Sequence, residues 1–126
     1  MEFVKFSLSH EHYDIIECMG KKGIRYLADF LSDELGDASQ YFKDWLWDSS
    51  SYATGGNYIY LRKIDDKIAI GVEWEDELPT EEQAPFETTK EVMHSILDRW
   101  QELVRKNAKE ILITRDGDNV TVEGKF

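Results

Sequence analysis

The apolar positions of this 126-residue chain switch between two periods. Phe3, Val4, Phe6 and Leu8 open it, and the alternation over Phe3 to Ser9 predicts a strand with its even positions facing inward. Tyr13 to Met19 predicts a second strand, punctuated by Gly20 and Gly23, with Ser9-His10-Glu11-His12 as the hairpin connection. From Ile24 the spacing changes to three and four residues. Ile24, Leu27, Ala28, Leu31 and Leu35 then align on one helix face. Gly36 interrupts this stripe, and Asp37 is placed to cap a second short helix carrying Tyr41, Phe42, Trp45 and Leu46.

The period of two returns after a loop formed by Ser49, Ser50, Ser51, Gly55 and Gly56. Tyr58 to Arg62 and Lys67 to Trp74, joined through Asp65-Asp66, predict a hairpin with Ile68, Ile70, Val72 and Trp74 on one face. A helix is predicted from near Thr88, where Thr88 and Glu91 have capping-box spacing. Val92, Met93, Ile96, Leu97, Trp100, Leu103 and Val104 form its apolar stripe, and Arg105, Lys106 and Lys109 suit the negative end of its dipole. Glu110 to Thr114, a turn at Asp116-Gly117, and Val120 to Glu123 predict a closing hairpin. The predicted order is ββ-α-ββ-α-ββ, an α+β fold with a single antiparallel β-sheet and helices packed on one face. The other sheet face is left to solvent or to docking.

Length and composition sharpen this picture. Residues 1–126 suit a single domain, and 41% hydrophobic with 13% aromatic residues supply a real core. Cys18 is the only cysteine, so no intrachain disulfide and no multi-thiolate zinc site can form. It has no sequence neighbour that would lower its pKa, and a buried, inert thiol is expected. The first six residues lack the basic and apolar regions of a signal peptide, and no apolar run approaches the ~18 residues of a membrane span, so a reducing cytoplasm is the expected compartment.

Charge carries the functional signal. The formal net charge is −11. Residues 29–87 hold fifteen acids and four bases, so this stretch carries the whole excess. One cluster is Asp29, Asp33 and Glu34, expected on the exposed side of the first helical stripe, with Asp37 just beyond. The other is Glu73, Trp74, Glu75, Asp76 and Glu77, continued by Glu81 and Glu82, where carboxylates mix with Trp74, Leu78 and Phe86. Charges steer encounter and aromatic anchors supply buried contact area. A carboxylate run is also often merely solvated, and two clusters in one half of a small domain leave these readings balanced. Such a surface repels phosphate backbones and anionic lipid, so neither nucleic acid nor membrane is an expected partner.

Catalytic signals are thin. His10 and His12, two residues apart on one side of a strand, would sit about 7 Å from each other. No third ligand is identifiable, and two solvated turn histidines are the simpler account, so no metal and no other cofactor is expected. His94 is read as structural. Gly55-Gly56 lacks the Lys and Ser/Thr of a phosphate loop, and no Gly-x-Ser-x-Gly elbow occurs. Tyr52, Tyr58 and Tyr60 suit core edges and contact positions equally. Trp45 and Trp47 cannot share a helix face, so a buried Trp45 leaves Trp47 exposed.

The Tyr58-Ile59-Tyr60-Leu61-Arg62 … Ile68-Ala69-Ile70-Gly71 hairpin, the acidic Glu73–Glu82 segment and the Glu91–Lys106 helix leading to Glu110-Ile111-Leu112-Ile113-Thr114 together resemble the small acidic immunity proteins of bacterial polymorphic-toxin and contact-dependent growth inhibition systems. The resemblance covers the C-terminal two-thirds of the chain as a pattern, with no signature motif. It implies a cytoplasmic protein, not an enzyme, that binds one cognate toxin domain, often a basic nuclease, and blocks it. The expected contact set is Asp29, Asp33, Glu34, Asp37, Glu73, Trp74, Glu75, Asp76, Glu77, Glu81 and Glu82, on a chain that is a monomer when free. An acidic secretion chaperone for an effector, which would dimerise, and a small enzyme built around His10 and His12 are the alternatives.

Overall fold

A computed structural model describes residues 1–55, 59–72 and 84–126. The N-terminal hairpin is as expected: β1 (Glu2–Ser9) pairs antiparallel with β2 (His12–Met19). Its two-residue turn, His10-Glu11, has both residues at positive φ (50° and 70°), the handedness that matches strand twist across a two-residue loop. A β-bulge at Ile16 breaks the register between Lys5 and Phe6 on the facing strand.

Next comes α1 (Lys22–Asp29), which runs into a π-helical turn at Phe30–Glu34 closed by the Leu35 N–H on the Phe30 carbonyl at 2.8 Å. Ile24, Leu27, Ala28, Leu31 and Leu35 are all buried, as their spacing predicts. Tyr26 and Phe30 are buried as well. The helix is covered on more than one side, because it packs against β1 and β2 and also against β5 and β6. Helix α2 (Ser39–Leu46) buries Phe42, Trp45 and Leu46, while Tyr41 turns outward. Asp37 does not cap it: the N-cap is Ala38, with no side-chain cap.

The central hairpin, β4 (Ile59–Ile64) with β5 (Lys67–Val72), turns at Asp65-Asp66. Two short strands missed in the sequence flank it, β3 (Ala53–Gly55) and β6 (Phe86–Thr89). Trp74 lies outside the described residues. Helix α3 (Lys90–Arg105) starts one residue later than predicted. Thr89, not Thr88, is the cap, accepting the Val92 N–H at 3.2 Å, and Thr88 belongs to β6, so the predicted Thr88–Glu91 capping box does not form. The chain closes with β7 (Glu110–Asp116) and β8 (Asn119–Lys125).

The single sheet expected from sequence is replaced by two four-stranded antiparallel sheets, ordered β2-β1-β7-β8 and β3-β4-β5-β6. The two terminal hairpins join through β1 and β7. The central hairpin instead recruits β3 and β6, and α1 and α3 contact both sheets. One hydrophobic cluster is shared by both sheets and all three helices. Within it Trp100 meets Phe6 and Tyr13 edge-on, at ring-centroid distances of 4.8 and 5.6 Å. The Tyr13 hydroxyl donates to the Ala108 carbonyl at 2.6 Å, which keeps this polar atom satisfied inside the core.

A candidate acidic partner surface

The first predicted cluster can be placed residue by residue. Asp29, at the end of α1, is half-buried and paired with Arg25 at 3.1 Å, one helical turn back. Asp33 projects from the π-helical turn, 56% exposed, with a carboxylate oxygen 3.5 Å from Nε2 of His12. Glu34 is half-buried in the same turn. Asp37 is exposed, just past Gly36, whose φ of 52° turns the chain toward α2. Glu73, Trp74, Glu75, Asp76, Glu77, Glu81 and Glu82 lie outside the described residues.

His12 ties this cluster to the sheet. Its Nδ1 sits 2.9 Å from Asp14 on the same strand, while Nε2 faces Asp33 on the π-helical turn. The hydrogen bond to Asp14, the nearby Asp14 and Asp33 charges and the Ser32 backbone together raise the His12 pKa above its ordinary 6.5. Protonation makes both ring nitrogens donors, one toward each carboxylate. His10, in the turn itself, shares neither contact. Among the described residues no group of three or more His, Cys, Asp or Glu side chains could hold a metal ion.

A second acidic stripe, missed in the sequence as a surface, follows on α2. Tyr41 and Asp44, three residues apart on α2, share one side of it, with Asp37 just before the helix and Asp48 just after it. All four are exposed. Tyr41 reaches Thr54 of β3 through its hydroxyl (3.2 Å), beside the exposed Tyr52. The signal was present as helical spacing, but Tyr41 reads as a core residue until the direction of the helix is known. Trp47 is 54% exposed while Trp45 is buried, as their separation predicts. Its ring faces His94 of α3 with centroids 6.5 Å apart.

Two bases beside α2, Lys43 and Lys63, turn inward. Lys43 is mostly buried and bonds Asp98 of α3 at 2.6 Å, which with its charge lowers the Asp98 pKa. Lys63 lies over the Trp45 ring and donates to the carbonyls of Trp45 and Asp48, so an ammonium from β4 caps the C-terminal end of α2. Burial lowers the Lys63 pKa. Asp48 stays ionised further into acid because Ser50 donates to it through both its hydroxyl and its backbone N–H.

Cys18 departs from expectation. It is exposed on β2, and partial burial of its thiol pushes its pKa up, so it stays a neutral thiol. Comparison with protein-family models, with curated proteins and with solved structures finds no match. No helix among the described residues is long and apolar enough to cross a membrane.

Proposed function

We propose that this protein is an immunity-type inhibitor: it binds a basic toxin domain, most fittingly a nuclease, through its acidic surface and neutralises it without catalysing a reaction. The observation that carries this reading is the one-sided use of charge between residues 29 and 55. Six acids stand there against one base, and that base, Lys43, is consumed internally by Asp98. Asp33, Asp37, Asp44 and Asp48 remain exposed. A positively charged active-site surface would meet carboxylates where substrate phosphates otherwise bind, and long-range attraction would speed the encounter. Tyr41, Tyr52 and Trp47 add exposed aromatic area of the kind that anchors interfaces.

The acidic secretion chaperone is the second reading. Light scattering separates the two: a stable monomer favours the inhibitor, and a stable dimer the chaperone. The decisive experiment expresses the product of the neighbouring reading frame alone and together with this chain. Growth arrest relieved only by the intact chain is expected. Unrelieved arrest, or relief that persists after Asp33, Asp37 and Asp44 are all changed to Lys, rejects the acidic surface as the inhibitory site.

A further inference from the structure

Among the described residues the two sheets have four edges, and these are not equivalent. On β8, Arg99 donates to the Val122 carbonyl at 3.1 Å. On β6, Arg115 donates to the Glu87 carbonyl at 2.9 Å, and on β3, itself three residues long, Ser51 donates to the Ala53 carbonyl at 3.3 Å. Each of these edges therefore has a carbonyl already occupied by a side chain. The fourth edge is β2, eight residues long and, among the described residues, hydrogen-bonded through its backbone to β1 alone. Among the described residues no side chain donates to a β2 carbonyl. Its side chains include Ile16 and Met19, 53% and 52% exposed, and the exposed Cys18.

We propose that β2 is where the partner docks, by adding an extended, lysine- or arginine-bearing segment as a fifth strand of this sheet; the inference rests on the reading of a basic partner and specifies how it is held. Backbone hydrogen bonds would supply affinity and the side chains beside the strand selectivity. The occupant's charge follows from the proposed basic partner and suits Asp14 and Glu17, exposed on β2; His12 lies between Asp14 and Asp33, Lys5 stands opposite Glu17 on β1, and Arg25 is engaged by Asp29. A second copy of this chain would bring the same carboxylates together on molecules each carrying −11, so β2-to-β2 pairing is disfavoured. The bulge at Ile16 divides the edge, which makes His12–Ile15 and Glu17–Met19 the two pairing stretches and leaves the Ile16 side chain as an apolar contact between them.

The probe is a heptapeptide alternating lysine and valine, added to the full chain while backbone amide exchange is followed by NMR. A twin peptide with alternate amides N-methylated keeps the charge and removes the donors. The unmodified peptide is expected to slow exchange within β2, with the methylated twin binding about tenfold weaker. Ile16→Lys, with its amide spectrum checked for a folded chain, is expected to weaken binding of the unmodified peptide at least as much. Equal binding of the two peptides, protection at another edge, or no binding overturns the proposal. Failure of the growth assay with peptide docking intact would reject the immunity reading alone. Relief of arrest by a chain whose β2 ignores the peptide would reject this docking mode alone.

Discussion

Trp100 shows how much a single side chain carries. It is 4% exposed and sits between Phe6 and Tyr13, so Trp100→Ala removes packing from the helix and the terminal sheet at once. A loss of about 3–5 kcal/mol is expected, read as a lower midpoint in urea denaturation. Lys63 acts through its ammonium instead. Lys63→Met keeps the aliphatic stem against Trp45 but leaves the Trp45 and Asp48 carbonyls without their donor. The expected cost is about 1–3 kcal/mol by thermal unfolding, with the earliest melting in α2. His12 is a pH-dependent strut. Its pKa is raised in the folded chain, so its stabilising contribution is complete below the ordinary 6.5 and disappears as pH rises through the raised value. Because the ring is half exposed the effect is small. In His12→Gln, the slight fall in stability across that window should vanish, as monitored by urea midpoints from slightly acidic to slightly alkaline pH.

At the scale of elements, periodicity located nearly every helix and strand, and contacts decided their ends. Thr88 and Thr89 are both plausible caps in the sequence, but pairing of Thr88 with Ile68 and of Thr89 with Lys67 carries β6 up to the helix, and only Thr89 offers its hydroxyl to Val92. Strands β3 and β6 escaped notice because three or four residues are too few to show a period. The π-helical turn was hidden for a related reason: Leu31 and Leu35 keep helical spacing whether or not one hydrogen bond widens. Gly23 marks where α1 closes on β6. A Cβ there would come within 3.1 Å of the Ala84 carbonyl and the Phe86 nitrogen, both backbone atoms that cannot rotate away. Gly23→Val is therefore expected to cost about 1–3 kcal/mol from overpacking, measured by calorimetry.

At the scale of the whole molecule, the asymmetry of charge matters most. With Lys43 turned inward, Asp37, Asp44 and Asp48, on and beside α2, stay exposed to solvent. Reversing Glu75, Asp76 and Glu77 to Lys should weaken partner binding and change stability by no more than about 0.5 kcal/mol, provided that these side chains are solvated. Binding by titration calorimetry, with a melting curve as control, checks both halves; unchanged affinity removes that segment from the contact set. The strength of the interaction is also expected to fall steeply between low and physiological salt, because exposed charges are screened over about 8–10 Å.

The α+β character, the amphipathic faces of α1, α2 and α3, the three hairpins and the concentration of acid between residues 29 and 87 are all legible along the chain. Each of these is a local property, written in spacing or in counts. That the hairpins part into two sheets emerges only on folding, since strand partners distant in the chain are chosen by what the helices must cover on both sides. Tertiary packing also decided which charges remain free. Lys43 and Asp98, or His12 and Asp33, meet only after folding, and no count of acids and bases along a chain distinguishes a carboxylate facing solvent from one already answered by its own protein.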